Sequence, residues 1–178
     1  MGEGAQGVAA DARGGVLPLH RRLRAELVTP ESIYGTIIAA ALIVVLEDDN
    51  DFDLLVSVGT TTFVFWIAHV FAFTVAHHGK SGTTEITLTD ALGRALTHSS
   101  GLLLAAVPPM LVLGLGAAGV LDEGVAYLLS LAIGVIVLFL LGVMAFAERE
   151  AAWYARLAGG IVTALLGLAV IALKAVFH

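Results

Sequence analysis

The chain contains no cysteine. Disulfides, thiolate metal sites and thiol nucleophiles are excluded, and redox chemistry says nothing about the compartment. Charge is scarce as well. Asp, Glu, Lys and Arg make up 13% of the 178 residues, about half of the ~25% usual for a soluble domain, so a water-facing surface cannot be built from them. No phosphate loop, dinucleotide fingerprint, Ser–His–Asp order or zincin motif is present. These absences predict a protein that is not an enzyme and holds no cofactor. Basic residues number 9 in all and lie next to apolar runs, which gives nucleic acid no footing as a partner. Met1–Gly15 are small and polar, with no apolar stretch behind a basic start, so they read as a mobile tail rather than a signal peptide.

What is abundant is apolar. Hydrophobic residues make up 58% of the chain, and they fall into five runs within one domain, residues 16–178. A span needs about 20 apolar residues to cross about 30 Å of hydrocarbon. The runs predict spans at 30–46, 54–76, 101–121, 125–147 and 153–176, an all-α polytopic transmembrane bundle whose partner is the lipid bilayer. The first run is short. Thr29 is its expected N-cap, Pro30 suits the first helical position, and Glu31 complements the helix dipole. Pro108 and Pro109 predict a kink in the third span. Tyr34, Tyr127, Trp153 and Tyr154 suit the membrane interface. Two further segments read as interfacial helices. In 16–27, Leu19, Leu23 and Leu27 recur beside Arg21, Arg22 and Arg24. In 83–98, Leu88, Leu92 and Leu96 share a face, with Asp90 and Arg94 as an i,i+4 pair on another.

Loop charge orients the bundle. With the N-terminus in the cytoplasm, Arg13, Arg21, Arg22, Arg24, Lys80, Arg94, Arg149 and Arg156 all lie inside, and Lys174 alone lies outside. Such a bias predicts a cytoplasmic N-terminus and an outer C-terminus in an inner (plasma) membrane. The competing arrangement lays the short first run on the surface and has four spans, which turns Arg94, Arg149 and Arg156 outward.

Few polar groups fall at membrane depth. His69 does, one turn after Phe65 and Trp66 and one turn before Phe73. Ionisable groups there face the bundle interior and mark pathways, although a neutral imidazole also serves as a simple structural donor. Glu31 lies sixteen residues before Glu47, and His69 sixteen after Asp53. An antiparallel hairpin would therefore bring Glu31 and His69 to one depth, with the hydroxyls of Ser32, Tyr34 and Thr36 nearby. His77 and His78 lie about two turns closer to the cytoplasm. Such a set binds a divalent cation or relays protons; the plainer role for Glu31 is to support its helix start. Outside, Glu47, Asp48, Asp49, Asp51 and Asp53 form an acidic cluster expected to stay in water and to concentrate cations. Asp49, Asp51 and Asp53 have the spacing that opens a calcium loop, but Leu54 stands where glycine is required and Thr60 where the bidentate glutamate belongs. Gly159, Thr163 and Gly167 form a small-residue ridge, as do Gly134 and Gly142. Such ridges let helices meet closely, within one chain or between copies in a homo-oligomer.

TPESIYGTI, FWIAHVFAF and the closing ALKAVFH resemble a type of small five-span membrane protein common in GC-rich bacteria, for which no activity transfers. AAVPPMLVLGLG and LFLLGVMAF are similar in character to segments of the vacuolar iron transporter family, a resemblance that implies five spans. That family carries an acid within its first span and a glutamate-rich cytoplasmic region after its second. Residues 32–46 contain no acid here, and the cytoplasmic segment offers Glu85 and Asp90 with His77, His78 and His98. The functional expectation is a small cation or proton transporter or channel-like protein; the alternative is a structural or accessory membrane protein.

Overall fold

The computed structural model describes residues 29–46, 50–81, 84–149 and 151–177. The tail at 1–15, the surface helix expected at 16–27, and Glu47, Asp48 and Asp49 lie outside the described residues. Five helices make up the bundle: α1 (Pro30–Val45), α2 (Asp51–His77), α3 (Leu88–Ala117), α4 (Glu123–Ala147) and α5 (Trp153–Phe177). α2 to α5 are each long and apolar enough to cross a membrane. The chain is thus an integral membrane protein built as a helical bundle.

Local chemistry sets the helix ends. Thr29 caps α1, its side chain accepting from the Ser32 N–H. Asn50 caps α2 in the same way, accepting from the Asp53 N–H at 2.9 Å. α3 stops at Gly119, whose φ of +70° allows the left-handed turn. There the Gly119 N–H donates to Gly116 O and the Val120 N–H to Leu115 O, at 2.7 and 2.9 Å. Carbonyls left over at the helix end are satisfied by this turn.

Two elements differ from the sequence reading. Residues 83–98 do not form a separate interfacial helix. Gly79–Ser81 and Thr84–Ile86 make a short antiparallel ribbon, β1 and β2, and α3 then runs unbroken through Thr97–Gly101 into the expected third span. Nothing in that stretch breaks a helix, so the polar surface of its first turns continues into the apolar part. The Asp90–Arg94 pair is also absent. Asp90 instead accepts from the Thr87 hydroxyl at 2.7 Å, while its N–H donates back to Thr87 Oγ1; the acid is used to start the helix. Leu88, Leu92 and Leu96 face outward and, with Trp66, Val70, Phe71 and Thr74 of α2, line an almost wholly apolar groove.

α1, the shortest helix, holds the centre and packs against all four others. Ser32, Gly35, Thr36, Ala39, Ala40 and Ile43 recur at helical spacing and are buried. These residues are small because close approach, not expulsion of water, holds helices together in lipid. The apolar core lies toward the far end of α1, where Ala39, Ile43 and Val44 meet Leu54, Val58, Ala106, Leu113 and Leu131. Large side chains such as Phe63, Phe71, Leu111, Leu128 and Leu165 point outward, as a lipid-facing surface requires.

Successive helices run in opposite directions. Gly116 near the end of α3 abuts Asp51 at the start of α2 and Ala126 at the start of α4. Gly142 and Gly159 join the end of α4 to the start of α5. Gly142 and the Gly159–Gly167 ridge therefore pair α4 with α5 inside one chain, whereas Gly134 faces Ala40 of α1. Gly160 receives Val143 and Phe139, and Gly167 receives Leu138. The Thr163 hydroxyl lies 2.8 Å from Leu138 O across the seam and 2.9 and 3.0 Å from Gly159 O and Gly160 O of its own helix, so three carbonyls compete for its one proton.

Candidate intramembrane polar site

Glu31 sits in the first turn of α1 and is 7% exposed. Its Oε1 lies 2.9 Å from His98 Nε2 on α3 and 3.8 Å from His69 Nε2 on α2. The shorter distance is a hydrogen bond, the longer one is not. Glu31 and His69 thus come together as their matched depths suggest. The stronger contact is with His98, which the sequence reading placed on a separate surface helix.

A register signal for His98 is present in the chain. Once α2 and α3 are paired with Asp51 beside Gly116, His69 lies eighteen residues after the one and His98 eighteen before the other. The two imidazoles must then share a depth, about 27 Å from Asp51 at 1.5 Å per residue. That signal is readable only if residues 88–117 are taken as one helix.

The remaining candidates divide. Ser32 is fully buried and lies 3.1 Å from the Thr29 hydroxyl, so it serves the cap. Thr36 donates to Ser32 O within its own helix. Tyr34 is 61% exposed and faces away from the site. His77 and His78 are exposed at the end of α2. His77 Nδ1 lies 2.9 Å from Phe73 O, and its ring stacks on Phe73 at 4.0 Å. The other side of this small network is His98, whose ring is 4.7 Å from that of Phe73.

Above the site is an open cleft of about 690 Å³, lined by Thr29, Phe73, Asp90, Gly93, Arg94, Thr97 and His98. Its lining mixes two charges of opposite sign with hydroxyls and imidazole. A smaller cleft beside it is lined by Thr29, Pro30 and Ile33 together with Glu148 and Arg149 just after α4. His98 and His69 have side chains 42% and 38% exposed, while that of Glu31 is 9% exposed. The acid is therefore closed in by two partly accessible rings.

Several buried polar atoms among the described residues have no hydrogen-bond partner: Glu31 Oε2, Ser99 Oγ, Trp66 Nε1, Thr62 Oγ1 and Asp51 Oδ2. Thr62, Trp66 and His69 recur on one face of α2 at helical spacing. Other buried hydroxyls are satisfied locally, as Thr74 is by Val70 O and Ser130 by Tyr127 O. Among the described residues no three His, Asp or Glu side chains are arranged to hold a metal ion.

At the opposite end, Asp53 is exposed and accepts from the Asn50 side chain at 2.8 Å, as a water-facing acid should. Asp51 departs from the expectation. It is 4% exposed, wedged against Gly116, with Glu123 near enough to repel it. The helix phase that turns Leu54 and Val58 into the core also turns Asp51 inward, three and seven residues earlier.

No family model, no curated protein and no solved structure matches the chain.

Proposed function

We propose that the chain is a five-span inner-membrane protein, N-terminus inside and C-terminus outside, which moves protons or small cations through the Glu31–His98–His69 site. One observation carries the reading: a carboxylate enclosed within an apolar bundle, shared between two imidazoles, at the foot of an open cleft. Burying an ionisable group is costly, and such groups at membrane depth face a pathway or a partner. The position of α1 at the centre of the bundle favours five spans over an arrangement with α1 on the surface. Arg94, Arg149 and Arg156 belong to the end that holds the site, and Asp51, Asp53, Asp122 and Glu123 to the other. The positive-inside rule makes the site's end cytoplasmic.

The test is ion flux in proteoliposomes, with Glu31→Gln against the parent chain. The substitution keeps shape and removes the charge. Flux in the parent and at least a tenfold loss in the variant, with unfolding temperature unchanged within a few degrees, is the expected result. A second reading, an accessory protein that transports nothing, is favoured by the hydroxyls of Thr36, Thr74 and Ser130, each bonded within its own helix. Absence of flux in the parent chain selects it.

A further inference from the structure

We infer that the species handled at this site is the proton and not a metal cation, that His98 is its inlet from the cleft, and that Arg94 holds metal cations off. This rests on the transport reading above and narrows it. The site offers one acid and two imidazoles. Of these, Glu31 and His98 are hydrogen-bonded to each other at 2.9 Å, and His69 is 3.8 Å from the same oxygen. A divalent metal wants three or more ligands converging at about 2.0–2.2 Å, and the described residues hold no such group. Imidazole and carboxylate in direct contact are instead the two side chains best suited to pass one proton between them near neutral pH.

The cleft argues the same way. Arg94, Thr97 and His98 stand at i, i+3 and i+4 on α3 and line it together. The charged and titratable groups that line it, Asp90, Arg94 and His98, all come from α3, and Glu31 of α1 lies behind His98 with His69 of α2 on its other side. Glu148 and Arg149, just after α4, line the neighbouring cleft, which shares Thr29 with it. Asp90 is engaged by Thr87, whereas Arg94 is exposed and makes no ion pair among the described residues. Guanidinium keeps its charge at any physiological pH. Asp90 keeps its negative charge but stands two turns from His98, whereas Arg94 stands one turn away, so the fixed charge nearest the ring is positive. A metal cation must approach that charge, while a proton is handed from donor to acceptor without diffusing as a bare ion. Phe73 packs against His98 and His77 and so holds the inlet ring beside a surface histidine.

The transfers balance. Protonated His98 gives its Nε2 proton to Glu31 Oε1, leaving neutral imidazole and a carboxylic acid. The acid then gives that proton to His69 Nε2, restoring the carboxylate. At 3.8 Å the second transfer waits for a small side-chain movement or a bridging water.

The test uses the full chain in liposomes, one batch holding a pH-sensitive dye and another a dye quenched by Mn²⁺. The parent chain should admit protons under an imposed membrane potential and no Mn²⁺. His98→Ala should lower proton flux at least tenfold, and added imidazole should restore it, which a merely structural loss would not allow. Arg94→Gln, at an exposed position, should begin to admit Mn²⁺. Mn²⁺ flux through the parent chain overturns this inference while leaving the transport reading standing. So does a His98→Ala variant that conducts protons normally or is not rescued, or an Arg94→Gln variant that stays closed to Mn²⁺. Movement of neither ion through the parent chain overturns the transport reading itself.

Discussion

Gly35 offers the sharpest test of how the bundle is held. It lies one turn beyond Glu31, where α1 meets the backbone of α3. A Cβ built there would clash with Leu102 O and lie 2.8 Å from Leu102 Cα and 2.9 Å from its carbonyl carbon. Carbon atoms prefer about 3.5–4.0 Å, so Gly35→Ala must drive α1 and α3 apart by roughly 1 Å. Backbone cannot rotate aside as a side chain can. Overpacking costs about 1–3 kcal/mol, and alanine returns about 0.5–1 kcal/mol of helix propensity. A net loss of about 1–2 kcal/mol remains. At about 2–4 °C per kcal/mol for a chain of this length, unfolding in detergent should occur about 2–8 °C lower. The same shift would stretch the Glu31–His98 hydrogen bond beyond about 3.2 Å, so ion flux should fall with it. Gly134→Ala is the control, because its new methyl would meet only Ala40 Cβ at 3.9 Å; it should leave stability unchanged or slightly raised. A Gly35→Ala protein as stable as the Gly134→Ala protein would refute the close contact of α1 and α3.

Other consequences are independent of that contact. Thr163→Val, which keeps shape but removes the hydroxyl beside Leu138 O, should cost about 0.6 kcal/mol, the average for such bonds between membrane helices; thermal unfolding measures it, and an unchanged midpoint shows that the proton serves Gly159 O or Gly160 O within the same helix. Asp51→Asn should raise the unfolding temperature by relieving an unpaired buried carboxylate beside Glu123; a fall would reveal a partner for Asp51. Reporter fusions after Asp51 and after His178 should signal the outer side and a fusion after Gly82 the cytoplasm, whereas a cytoplasmic signal at Asp51 would sink the five-span arrangement.

Helical architecture and membrane character were legible in the sequence for a plain physical reason. Lipid leaves no backbone group a partner outside its own segment, so a run of about 20 apolar residues has little choice but helix. The cap of α1 was legible as well, because Thr29, Pro30 and the turn they start are chemistry between residues three apart. Half of the site was readable, since depth is a count along the chain: Glu31 and His69 could be matched across one acidic loop. Their actual partner was not. His98 reaches Glu31 only because residues 88–117 form one helix whose polar start continues into its apolar body, and nothing local distinguishes that from a surface helix followed by a span. Rotation about each helix axis was hidden too. Tyr34 and Glu31 are three residues apart, yet one faces outward and the other is enclosed. Composition also does not tell whether the Gly159–Gly167 ridge serves a second copy or the same chain; α4, arriving next to it in sequence, occupies it first. Sequence by itself determined the apolar helices and the depth of residues counted within them, such as Glu31 and His69, because both follow from solvent and rise per residue. Which faces meet was decided only by tertiary structure, since in lipid the choice depends on the close fit of small residues such as Gly35 against Leu102 and not on hydrophobicity, which is the same on every side.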